Sequence, residues 1–304
     1  MAYSRRKYAR RPARKYPTKR RSAPRRSYAK KRPSRRPMTK RRILNVTSRK
    51  KQDNMLAYTN VTVANPSGGT TFAAGSSTLI GSYQNYVIPF ICTYRSLYEN
   101  AASAPGLTVD ASTRTATTCF MRGYKERITI QTNDGTPWLW RRVVFTMKGP
   151  YFITQQTSSF ALAQQTSNGI VRNVNSIPAG STFATFIALL FKGKEGVDFA
   201  GGDYFGATVD RTNVSVLSDK TRTLASGNED GMIREFKIWQ PFNKNLVYAD
   251  DEDGGTVDSN GFSSTSKQGM GDCYVVDIFR ARVSSASSSQ LSFNPHGTLY
   301  WHEK

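Results

Sequence analysis

The groups most able to do chemistry in this sequence are its arginines and lysines, and they are very unevenly placed. Residues 1–51 hold 23 of the 44 basic residues and no acidic one, the first acid being Asp53; the remaining 21 basic residues are balanced by all 21 acids. Such cations neutralise phosphates and release their condensed counterions, binding without regard to sequence and with steep salt dependence. The candidate nucleic-acid contacts are Arg5, Arg6, Lys7, Arg10, Arg11, Arg14, Lys15, Lys19, Arg20, Arg21, Arg25, Arg26, Lys30, Lys31, Arg32, Arg35 and Arg36. Tyr3, Tyr8, Tyr16 and Tyr28 lie among them. Stacking on a base adds about 1–3 kcal/mol where base faces are open, so these rings favour single strands over duplex. A block of like charge this poor in aliphatic residues cannot bury enough apolar surface to offset chain entropy, and it is expected to be disordered until a polyanion neutralises it.

Other reactive groups are sparse. His296 and His302 are the two histidines, and neither stands in a metal-binding spacing or beside a G-x-S-x-G elbow. Cys92, Cys119 and Cys273 are far apart and odd in number, which points to free thiols in a reducing compartment. "GKEG" at 193–196 lacks the rest of a phosphate-binding loop and reads as a turn. Asp250, Asp251, Glu252 and Asp253 precede two glycines; they read as a solvated loop or, alternatively, as an intersubunit or divalent-cation contact, although the acids do not alternate as in a calcium loop. Arg141 and Arg142 follow Trp138 and Trp140 in a strand pattern that turns the two arginines to opposite sides. They read either as nucleic-acid or subunit contacts or as a solvated strand end. No pair of carboxylates is singled out by spacing, and no cofactor motif is present, so an enzyme is not expected.

The elements that must carry these residues are strands. Alternating or β-branched runs occur at 57–63, 86–94, 127–132, 140–147, 182–191, 212–217, 233–240 and 273–283, with weaker ones at 169–175 and 297–302, separated by Gly, Ser, Asn and Asp clusters. Short helices are possible at 92–102 and 154–165, and "TFATFIALLF" (182–191) is ambiguous between strand and buried helix. About eight strands with long connections predict an all-β fold, an eight-stranded antiparallel jelly roll, preceded by the disordered arm. Nothing resembles a secretory leader or a bilayer-spanning run, so a soluble, non-secreted protein is expected. Ile43, Leu44 and Val46 are the first aliphatic residues able to pack, which puts the expected start of the fold inside "KRRILNVTSRKK", 40–51.

Several segments, in order, are similar to one family. "TKRRILNVTSRKK" behind a Tyr/Arg-rich leader, "TATTCFMRGYKERITIQTNDGTPWLWRRVVFT" (115–146), "SDKTRTLASGN" (218–228), "KIWQPFNKNLVYADDEDG" (237–254) and "TLYWHEK" (298–304) resemble the capsid proteins of genomoviruses, small circular single-stranded DNA viruses related to the geminiviruses. Residues 64–80 and 154–176 match nothing in that pattern. The resemblance implies a coat protein with an arm over 1–42 and a jelly-roll domain over 43–304. It also implies an icosahedral shell of about sixty copies around circular single-stranded DNA, found in the virion and the host nucleus. Lys40, Arg41, Arg42, Arg49, Lys50 and Lys51 become candidates for a nuclear localisation signal read by an import receptor on an extended segment. The alternative is a non-capsid protein that binds single-stranded nucleic acid and uses its β-sandwich to bind a partner.

Overall fold

The computed structural model describes residues 38–304, apart from 84, 102 and 103 and the side chain of Arg41. The chain divides between Ile43 and Leu44. An eight-residue helix, α1 (Lys40–Thr47), crosses that point. Thr39 starts it, its hydroxyl accepting from the Arg42 N–H at 3.3 Å and its carbonyl from the Ile43 N–H at 3.0 Å.

Eight strands make the body of the domain: β1 (Arg49–Met55), β2 (Tyr86–Ile91), β3 (Thr118–Thr132), β4 (Trp138–Met147), β5 (Ser215–Leu224), β6 (Met232–Asp253), β7 (Asp272–Ala281) and β8 (Gln290–Glu303). They form two antiparallel sheets, ordered β1-β8-β3-β6 and β5-β4-β7-β2. The chain changes sheet at every connection except β4–β5, the order that two interlocked Greek keys require, so the fold is a jelly roll. Short strands decorate it. Ser77–Ile80 lies on β8, Thr256–Ser263 returns along the end of β6, and Gly169–Val174 runs parallel to Ala57–Thr59.

The space between the sheets is filled in layers because inward side chains recur every second residue. Tyr124, Val144, Val275 and Phe90 belong to one apolar cluster; Ile128, Trp140, Phe279 and Ile88 belong to another. Between these layers, one inward step from each, stand Glu126, Arg142 and Asp277. Arg172 reaches them from the Gly169–Val174 strand. The outer face of β5-β4-β7-β2 is also buried. Val143, Phe145, Tyr274, Val276 and Ile278 pack beneath a covering drawn from the long β4–β5 connection, 148–214, which includes helix α2 (Ser181–Leu190) with Phe186, Ile187 and Leu190 turned inward.

Several expectations change here. "TFATFIALLF" is α2, because its apolar residues are needed on one side of a single covering helix rather than on alternate sides of a strand. Helix does not form among the described residues of 92–102, and within 154–165 only the end of a single 3-10 turn, Ile153–Gln155, enters. Ile43, Leu44 and Val46 stay substantially exposed, and the buried apolar core begins at Met55. β1 itself, "RKKQDNM", was not expected as a strand, since it has almost no apolar alternation; its full register against β8 supplies the hydrogen bonds instead. The boundaries of β3, β6 and β8 extend well past their apolar patterns. Among the described residues no helix is long and apolar enough to cross a membrane.

Candidate nucleic-acid interface

The arm residues proposed to contact nucleic acid, Arg5 to Arg36, lie outside the described residues. The six candidates for an import signal fall on two elements, not one extended segment: Lys40, Arg41 and Arg42 in α1, and Arg49, Lys50 and Lys51 in β1. Lys40, Arg42, Arg49 and Lys50 are exposed. Lys51 is not. Its parity in β1 turns it inward, where Nζ lies 3.3 Å from Glu303 and donates to the Thr113 carbonyl at 2.6 Å. Glu303 also accepts from the Thr115 hydroxyl at 2.6 Å and the Trp301 indole at 2.7 Å. Burial alone would raise its carboxyl, but these hydrogen bonds and the Lys51 ammonium hold it below its ordinary value of 4.5. Among the described side chains, four of these cations are open to a receptor and Lys51 is not.

The strongest ionic constellation is the charged layer inside the sandwich. Arg172 donates to Glu126 at 2.7 Å and to Asp277 at 3.0 Å, and its guanidinium lies 4.4 Å from the centroid of Phe90. Arg142 donates to Glu126, while Trp140 and Tyr124 donate to Asp277 and Glu126 at 2.9 and 3.1 Å. All four charged side chains are nearly or fully withdrawn from solvent. With two cations, two anions and apolar layers on either side, the set is closed. It ties three strands and the Gly169–Val174 segment together, a structural role.

Arg141 and Arg142 do face opposite sides, yet neither proposed role fits them. Arg142 is in that inner layer. Arg141, on the outer side of β4, makes a two-pronged pair with Asp219 (2.9 and 2.7 Å) and donates to the carbonyls of Tyr204 and Ala207 (2.6 and 2.7 Å), fastening the 148–214 covering to the sheet. A depression of about 230 Å³ beside it contains Arg141, Asp219 and Arg211 as its charged residues.

The acidic run is not a loop. It is the end of β6, turned back by Gly254 (φ +59°) and Gly255 into the Thr256–Ser263 strand. Asp250 is consumed within the chain: Arg114, fully buried, donates to it through both terminal nitrogens (2.5 and 2.7 Å) and lies 3.9 Å from the centroid of Tyr248. Despite the opposing effect of burial, those bonds and the arginine's charge hold its carboxyl below 3.8. Asp251, Glu252 and Asp253 remain exposed. The three cysteines are free and buried, and burial raises the thiols of Cys119 and Cys273.

What the pattern of residues did not announce is the outer face of β1-β8-β3-β6. Directly opposed residues of an antiparallel sheet share a face. One row across it reads Asn54, Thr298, Lys125, Trp239, and the next reads His296, Arg127, Lys237. Toward the other end come Tyr300, paired with Gly123, and then Lys50, His302 and Phe120. Trp239 and Tyr300 meet edge to face at 5.7 Å. Trp239 is 49% exposed, whereas Trp138, Trp140 and Trp301 are buried. Glu235, 3.0 Å from Arg127 and 3.3 Å from Lys237, is the acid of this face among the described residues. Burial, then the charges of Lys50 and Arg122, lower His302 below its ordinary 6.5, so the electropositive field is felt by the group best able to register it. The signal was present in "RGYKER" and "EFKIWQ", where cations and a tryptophan recur on alternate residues, but only the pairing of β3 with β6 brings them together.

The chain matches no protein-family model and no curated protein.

Proposed function

We propose that this chain is a viral capsid protein that self-assembles into an icosahedral shell and packages circular single-stranded DNA through its basic N-terminal arm. The observation that carries this reading is the segregation of charge: the whole net charge of +23 sits in the first 51 residues, beside a charge-balanced remainder. That remainder folds as a jelly roll, an architecture suited to shells because two compact sheets present loops and edges to neighbours while the core stays dry. The resemblance to genomovirus coat proteins points the same way. Roughly sixty copies would bring arm charge able to neutralise on the order of a thousand phosphates, the scale of a very small genome. The arm and the exposed cations of α1 and β1 also serve as the nuclear localisation signal in this reading.

Electron microscopy and sedimentation of the purified full-length protein test it. Closed particles that protect single-stranded DNA from nuclease are expected, and removal of residues 1–39 should leave shells without full-length DNA. Full-length DNA inside shells of truncated subunits would overturn the packaging role. A species of only one or two chains bound to single-stranded nucleic acid under every assembly condition would favour the non-capsid alternative.

A further inference from the structure

The folded domain carries a second nucleic-acid contact, distinct from the arm: we propose that the outer face of β1-β8-β3-β6 is a stacking platform for single-stranded nucleic acid, with bases on Trp239 and Tyr300 and phosphates on the surrounding cations. Among the described residues, Lys50, Arg122, Lys125, Arg127 and Lys237 stand against Glu235 alone, so the face has an excess of positive charge although the domain behind it is balanced. An acidic protein surface would also satisfy the charge, but it would bury Trp239 without any nucleic acid present, which assembly of DNA-free particles reads out.

The aromatic geometry selects bases. A side chain at position 123 would bring its Cβ to 2.5 Å from Trp239 Cζ2 and 2.6 Å from the Gln240 carbonyl; glycine there lets the indole lie down against β3. Tyr300 bounds it edge-on. The ring is thereby held in place by the sheet while about half of the residue's surface stays open. Held aromatics among cations are what a sequence-tolerant single-strand site requires, since every base has a π-face and ordering the ring costs little further entropy. Duplex offers its phosphates to such a face but not its base faces. Strand geometry repeats same-face residues at intervals of about 7 Å, which sets Lys125 and Arg127, and Lys237 and Trp239, one such step apart.

This deepens the packaging reading, but it is tested on unassembled subunits and so fails or survives separately from shell formation. Full-length protein, freed of nucleic acid by nuclease and high salt, is titrated with a dye-labelled oligo-dT. Polarisation of the dye reports total binding, arm included; tryptophan emission reports the platform, because Trp239 is the exposed one of the chain's four tryptophans. The expected result is loss of the solvent-exposed tryptophan emission on binding, absent in Trp239→Phe. Trp239→Ala should weaken oligo-dT binding about ten-fold. Replacing Lys125, Arg127 and Lys237 together by glutamine should lower the slope of log affinity against log salt by about two. The unchanged emission of the buried tryptophans verifies folding in each variant. Tight binding by polarisation with unchanged emission and an unchanged salt slope would overturn the proposal, as would equal quenching by duplex of the same length. Burial of Trp239 on assembly of DNA-free particles would also overturn it, assigning the face to a second copy.

Discussion

On the outer side of β5-β4-β7-β2, Val143, Phe145, Tyr274 and Val276 are buried under Phe152, Phe186 and Leu190; on the outer side of β1-β8-β3-β6, the matching alternate positions carry Lys125, Arg127, Lys237 and a half-open Trp239. Both sheets share one inner core, and both are four antiparallel strands wide in the body of the domain. The first is closed by its own chain through the 148–214 connection and pinned by Arg141 to Asp219 and two carbonyls. The second has polar and charged residues at its outward steps and needs no cover to be soluble. The contrast teaches that a jelly roll's two outer faces answer to different demands: one was made into core, and the other was kept as a surface for contact.

The comparison can be broken hardest at the layer both sheets share. Arg172→Met leaves Glu126 and Asp277 short of a cation inside the sandwich and should cost about 3–5 kcal/mol, read as a lowered urea midpoint of the unassembled subunit. An effect under about 1 kcal/mol would mean that the layer admits water or protons freely. Next, Leu190→Ala in α2 should cost about 2–5 kcal/mol, as core truncations do, if the covering of β5-β4-β7-β2 is true interior. A surface-like effect would return that sheet to the same standing as its partner.

Gly123→Ala sharpens the contrast from the other side. It should destabilise by about 1–3 kcal/mol, because Trp239 and the Gln240 carbonyl must move, and it should redden or intensify tryptophan emission as the indole is lifted. pH comes after that. Glu303 has a folded-state pKa below its unfolded value, so its contribution is present above about 4.5 and lost as pH falls through the lower folded value. Asp272 has the opposite sign. Burial pushes it up to about 6, so ionising it costs stability as pH rises from 3.8 toward that value. From these two groups stability should be level between pH 7 and 6, rise as pH falls from about 6 toward the ordinary carboxylate range, and be opposed below about 4.5 by the loss of the Glu303 contribution; Glu303→Gln should remove that acid loss while lowering stability at pH 7. The smallest expected effect is that of Lys125→Gln with Lys237→Gln, within about 0.5 kcal/mol by urea, since both ammonium groups are exposed.

Much of the β architecture was legible because the inward residues of β2, β4 and β7 are aliphatic or aromatic at almost every step. β1 was not, because two of its three inward residues are Lys51 and Asp53, whose partners Glu303 and Arg95 lie far along the chain. The same separation hid the charged layer: Glu126, Arg142, Arg172 and Asp277 look like four ordinary surface charges until β3, β4, β7 and the Gly169–Val174 strand converge. Asp250 looked like one of four equivalent acids, and only the approach of Arg114 sets it apart from Asp251, Glu252 and Asp253.

By itself the sequence determined the confinement of net charge to residues 1–51, the strand-rich body and its turn chemistry, since these follow from composition and from periods of two residues that need no partner to be read. The tertiary structure alone decided which charges are buried, which of two adjacent arginines serves the core and which the covering, and that Lys125, Arg127, Lys237, Trp239 and Tyr300 share one open face. Those outcomes depend on register between strands up to about 250 residues apart in the chain, and a hydrogen-bonded ladder sets that register only once the inner face has been packed.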